Sequence, residues 1–150
     1  MAFRLVSGVG VVVDPAGFTF QKGTATAFAV GDILAIDVSA NELIRATSSH
    51  DNNAGDHLFA LCVSTETATS TTCLAIPLVD GMVLEADLAN NSTTADNLER
   101  MTLTDQDTLN NSGSDSAADT GVFLQLAPVG AAADKKALVM VKGIAGQVTA

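Results

Sequence analysis

The chain divides its apolar residues into short runs, none of which is spaced to form a helix. ILAIDV (33–38), HLFALCV (57–63), CLAIPLV (73–79), VFLQLA (122–127) and ALVMVKGI (137–144) are separated by stretches rich in Gly, Pro, Asn, Asp, Ser or Thr. Helical periodicity holds over no window of about twelve residues, and no fixed-period repeat is present. Trp and Tyr are absent and only six Phe occur, so a core must come mainly from Val, Leu, Ile and Ala. Abundant Thr and Val with scarce Lys, Arg and Glu favour strands over helices. At 150 residues the chain is expected to form one domain that buries roughly 68% of its unfolded surface. The expected fold is all-β: a compact small β-barrel or β-sandwich over residues 23–150. An extended N-terminal arm over 1–22 precedes it, and one long polar excursion interrupts it.

Punctuation along the chain gives the order of the pieces. The arm is cut by Gly8, Gly10 and the Asp14-Pro15-Ala16-Gly17 turn. Residues 33–38 and 42–47 around Ser39-Ala40-Asn41 read as a hairpin. Residues 57–63 are apolar almost throughout, so both faces of that strand should be covered. Pro77 suggests an edge or bulge in the run 73–79. Residues 83–88 read as a further short strand, residues 92–99 as one capped helical turn, 101–104 as a brief strand and 110–120 as a loop. The runs 122–127 and 137–144 close the domain, the latter continuous enough to be buried.

The net charge of −10 is uneven. Residues 51–119 carry twelve acids against Arg100 alone, giving −11, while 1–50 sum to −1 and 120–150 to +2. With no opposing Lys/Arg cluster, direct nucleic-acid binding is not expected. No apolar run approaches a membrane span, and no secretory signal is visible. Cys62 and Cys73 would face each other if their runs formed a hairpin centred between Thr67 and Ala68, which makes a cross-strand disulfide conceivable. The alternative is two buried free thiols.

Catalytic chemistry finds little to work with. His50 and His57 are the only histidines, both beside SSHDNNAGD. Ser48, Ser49, His50 and Asp51 are adjacent in a loop, where triad geometry seldom forms, and no nucleophile elbow is present. Asp105-x-Asp107 opens like a calcium loop, but Leu109 and Asn110 occupy the next two informative positions. The chain is therefore expected to be non-enzymatic, without cofactor or metal, and to act by binding and packing.

The order of these features resembles a known family over residues 23–144. A hairpin led by Gly31-Asp32-Ile33-Leu34 returns through Glu42-Leu43-Ile44-Arg45-Ala46. The strand Leu58-Phe59-Ala60-Leu61-Cys62-Val63 follows, then a Pro77-containing strand running into Glu85-Ala86-Asp87-Leu88. An Asn/Thr/Asp-rich segment and Leu138-Val139-Met140-Val141 complete the pattern. This resembles the small β-barrel head decoration, or capsid cement, proteins of tailed bacteriophages. The resemblance implies a structural virion protein, made in the host cytoplasm, that binds the outer surface of a capsid built from an HK97-type major capsid protein. It also implies assembly as a homotrimer, or in some members a dimer, shell stabilisation and no enzymatic activity. In some members an N-terminal arm pairs with the capsid or a neighbour, and residues 1–22 are the matching candidate. The family pattern fixes strands rather than contacts, so the candidate partner contacts are the apolar residues of the arm itself: Phe3, Leu5, Val11, Val12, Val13 and Phe18. The alternative is that they form the first strand of the core. Two other readings are a tail or fibre module, which would call for longer repetitive β segments, and a carbohydrate-binding β-sandwich, which usually stacks sugars on Trp or Tyr.

Overall fold

A computed structural model describes residues 3–7, 17–50, 57–111 and 122–142. The fold is all-β: two antiparallel sheets, one of them curled into a half-barrel. The strands are β1 (Phe3–Ser7), β2 (Phe18–Gln21), β3 (Ile33–Asp37), β4 (Glu42–Arg45), β5 (His57–Cys62) and β6 (Thr72–Pro77), then β7 (Val83–Asp87), β8 (Arg100–Asp105), β9 (Thr108–Asn110), β10 (Phe123–Pro128) and β11 (Lys136–Val141). The first sheet runs β1-β7-β11-β10-β8-β9 and the second β2-β6-β5-β3-β4.

The expected hairpin is β3–β4, in register from Leu34 opposite Arg45 to Asp37 opposite Glu42. Its turn is fixed by the Asp37 carboxylate, which accepts from Ser39 N–H (2.9 Å), Ser39 Oγ (2.6 Å) and Ala40 N–H (3.2 Å). These bonds, the Ser39 hydroxyl foremost, hold the Asp37 carboxyl below the usual carboxylate range. Pro77 is the last residue of β6, beyond Ala75, where the pairing with β2 ends.

The second sheet nearly closes on itself. Its outer strands meet at a Lys22–Leu43 bridge, and Gly23 N–H donates to Leu43 O at 2.9 Å. Lys22 is buried at this seam. Its ammonium donates to the Gly23 and Thr26 carbonyls (2.8 and 2.7 Å) and lies 4.6 Å from the centre of the Phe28 ring, so carbonyl dipoles and a ring face replace its water. Gly17 enters β2 at φ 77°, and a Cβ there would stand 2.8 Å from Ala75 O, so only glycine lets β2 lie this close to β6.

Strand β5 is covered on both faces near its end, as its apolar run implies. Leu58 and Leu61 pack with Ile33, Ala35 and Ile76 against the first sheet, in a core completed by Leu84, Met101, Leu103, Phe123, Val139 and Val141. Ala60 and Cys62 belong to a second cluster with Phe28, Leu34, Leu43, Cys73 and Ala75. Ile33 N–H donates to Gln106 O at 2.7 Å and ties the two sheets together.

Three details differ from the sequence reading. Within residues 83–111 the expected strands 83–88 and 101–104 are β7 and β8, but the polar excursion contains a further strand, β9, and is anchored in the core by Leu88, Met101, Leu103 and Leu109, all buried. Strand β11 is covered on one face: Ala137, Val139 and Val141 are buried, and Leu138 and Met140 half-buried. The cysteines do not face each other. The turn between β5 and β6 closes with Ser70 N–H on Thr67 O (3.2 Å), which sets Cys62 opposite Ala75 and Cys73 opposite Phe20. Both thiols are free and buried, and burial pushes both up, Cys73 to about 11.

Candidate interaction surfaces

The candidate partner contacts fall in different places. Phe3 is buried, its ring 5.5 Å from that of Phe123 in the core between the sheets. Leu5 lies on β1, which pairs with β7. Val11, Val12 and Val13 lie outside the described residues. Phe18 is 52% exposed on β2. The two described pieces of the arm are thus strands of different sheets, β1 at an end of the first and β2 at an end of the second. Val6, on β1, is also exposed.

Phe18 leads to an apolar cup in the second sheet. Strand alternation puts Phe18 and Phe20 on one face of β2, with ring centres 6.5 Å apart. Phe20 meets Phe59 of β5 edge to face at 5.4 Å and 89°. Phe20, Ile36, Leu43 and Phe59 line a cavity of about 200 Å³, with Gln21, Asn41 and Glu42 among its polar members.

A second surface lies on the segment before β8. Thr93 and Asp96 close a capping box around a short 3₁₀ turn (Thr94–Asp96): Thr93 N–H donates to Asp96 Oδ2 at 2.7 Å, and Ala95 N–H to Thr93 Oγ1 at 3.3 Å. Two buried amides hold the surrounding loop. Gln125 Oε1 accepts from Ser92 Oγ (2.9 Å), and its Nε2 donates to Thr93 O (3.0 Å) and Asn97 Oδ1 (3.1 Å). Asn111 Oδ1 accepts from Asn90 N–H (2.9 Å), while its Nδ2 donates to the Asn90 and Asn91 carbonyls (both 3.1 Å). The turn presents Leu98 to solvent.

The groups weighed for chemistry serve local structure. His50 Nδ1 accepts from Thr47 N–H at 2.8 Å and closes the turn Ser48–His50; Asp51 lies outside the described residues. His57 Nδ1 is buried with no hydrogen-bond partner among the described residues. Asp105 Oδ1 accepts from Asp107 N–H (3.1 Å), and Thr108 Oγ1 donates to Asp107 Oδ1 (2.9 Å). Burial works against the Asp105 carboxylate, but hydrogen bonds from Asp107 and Thr108 outweigh it and hold its pKa low, and Asp105 in turn pushes Asp107 up. Among the described residues no group of three acids, histidines or cysteines could hold a metal ion, and no helix is long and apolar enough to cross a membrane.

Asp32 is the buried acid with a consequence for stability. Burial pushes its carboxyl above the ordinary value of 3.8, partly offset by the bond from Ala29 N–H (2.9 Å) and by the charge of Arg45, while Asp105 adds repulsion. A carboxyl with a higher pKa in the fold than in the unfolded chain binds its proton more tightly when folded. Its ionisation therefore opposes folding at neutral pH, and the penalty is relieved as pH falls through the raised pKa. Asp32→Asn, which keeps an acceptor for Ala29, is expected to raise the urea midpoint at neutral pH. The gain over wild type should shrink on acidification through that pKa. A variant less stable than wild type at neutral pH would show that the charge assists the fold.

The geometry defines an all-β domain of two antiparallel sheets with an apolar cup on one and a held, protruding leucine beside the other. Comparison of the chain with protein-family models and with curated protein sequences finds no match.

Proposed function

We propose that the protein is a structural component of a phage virion: a decoration, or cement, protein that binds the outer surface of a capsid built from an HK97-type major capsid protein and stabilises the shell, without enzymatic activity. The observation that carries this reading is the order of the elements. The Gly31-Asp32 hairpin, the Leu58–Val63 run, the Pro77 strand leading into Glu85-Ala86-Asp87-Leu88, and the closing Val-rich strand fall on β3–β4, β5, β6–β7 and β11 of an all-β fold. Two surface features suit attachment. Strand β1 ends its sheet among the described residues, and an end strand is the place where a partner can add a strand. The cup beside Phe18 offers an apolar pocket for a partner side chain. Many modest contacts repeated over a lattice, and assembly as a homotrimer, would raise retention on the shell through avidity.

The decisive experiment mixes the purified protein with expanded HK97-type capsids that lack decoration. Sedimentation and electron microscopy should show saturable occupancy of equivalent lattice positions. If no capsid lattice takes up the protein saturably, the cement reading is lost. Light scattering of the free protein separately tests the trimer.

A further inference from the structure

Leu98 is the most exposed large apolar side chain among the described residues, at 74%, and its backbone is left-handed, with φ 72°. Neither property helps the free chain to fold. An exposed leucine gains no burial, and a residue with a branched, bulky side chain is disfavoured at positive φ, where glycine or asparagine sits more easily. The position is nevertheless firmly held. Leu98 N–H donates to Gln125 O at 2.9 Å, and Gln125 N–H donates to Glu99 O at 3.0 Å, so the backbone around Leu98 is tied to β10. On its other side Asn97 Oδ1 accepts from the fully buried Gln125 side chain, next to the capped turn. A strained residue, overdetermined by satisfied hydrogen bonds and carrying an apolar side chain into solvent, has the properties of a preorganised binding anchor.

We propose that Leu98 is such an anchor, and that it enters an apolar socket with a cationic rim on the partner. The apolar floor matches the side chain. The cationic rim follows from charge complementarity with the two acids next to the anchor: Asp96 and Glu99 lie within two residues of Leu98, with Arg100 the one cation as near in sequence. This inference rests on the capsid reading and specifies the kind of site on the shell that receives this face of the protein.

Two variants, Leu98→Asn and Leu98→Gly, test it, because both residues accept the left-handed backbone. In the free protein, Leu98→Asn is expected to keep or raise the urea midpoint, and Leu98→Gly to do the same or nearly so. A clear loss of stability in both would assign Leu98 to the fold and overturn the proposal. On expanded HK97-type capsids lacking decoration, both variants should bind more than about tenfold more weakly than wild type. Wild-type binding should also weaken as salt rises from about 0.05 to about 0.5 M. Saturable wild-type binding with unchanged variants would overturn the anchor and leave the capsid reading standing. Wild-type binding that tightens with salt would overturn the cationic rim. Absence of wild-type binding would remove the capsid reading and this inference with it.

Discussion

Replacing Gln125 with leucine is expected to cost about 3 kcal/mol of folding stability, although leucine is the more apolar residue and the site is fully buried. The side chain makes three hydrogen bonds, to Ser92 Oγ, Thr93 O and Asn97 Oδ1. Leucine would leave the buried Ser92 hydroxyl and the Thr93 carbonyl without this partner, and each stranded group costs about 1–3 kcal/mol. Gln125→Glu separates hydrogen bonding from packing. It keeps the shape and an acceptor for Ser92 but cannot donate to Thr93 O, and it places a charge in the interior. It should be at least as destabilising at neutral pH and recover in part on acidification. Urea unfolding of both variants checks this. A loss below about 1 kcal/mol for Gln125→Leu would mean that the loop carrying Leu98 is held by other contacts.

Phe3→Ala is expected to destabilise the free protein by about 3 kcal/mol, at the lower end for a buried phenylalanine because β1 is a terminal strand with freedom to adjust. Its ring centre lies 5.5 Å from that of Phe123, in the core cluster that also holds Leu84 and Ala86 of β7 and Val139 and Val141 of β11. A Phe3→Ala/Phe123→Ala double-mutant cycle should show coupling, since both deletions open the same space. Unchanged unfolding midpoints for Phe3→Ala would place the ring's contribution outside the folded monomer, with a partner.

Much of the architecture was legible because apolar runs and turn residues speak for themselves. Strands β3 and β4 with their Asp37 turn, the doubly covered β5 and the closing pair β10 and β11 all follow from alternation and punctuation. The short strand β7 was legible because Leu84 and Ala86 alternate with Glu85 and Asp87, but β9 was not: Thr108–Asn110 is three residues long with one buried side chain, Leu109, too short to show a period of two. The cysteine pairing depended on the position of one turn: closure around Thr67–Ser70 moved the register by two residues and made opposite neighbours into diagonal ones.

The loop scaffold left a fainter signal. Gln125 shares a strand face with Phe123 in VFLQLA, and an amide at an inward position has to find partners inside the protein. That alternation could have marked it. Which loop it would hold depended on contacts more than twenty-five residues away, as its bonds to Ser92 and Asn97 show. Nothing local to Leu98 forecast its left-handed backbone, because the conformation is imposed from β10. Phe3 and Phe18 looked alike as apolar residues of an arm, yet the structure buries one and half-exposes the other.

The sheet order also carries a consequence for how the molecule assembles as it is made. The second sheet draws all its strands from residues 18–77 and can form as soon as that stretch has emerged. The first sheet sets β7 between β1, the earliest strand, and β11, the latest. Until β11 emerges, β7 has one open edge, and pairings across such sequence distances form slowly. The half-barrel should therefore act as the early platform on which the chain waits. Joining of β7 and β11 would then be the late step, and the one at which a nascent chain is most exposed to pairing with a neighbour.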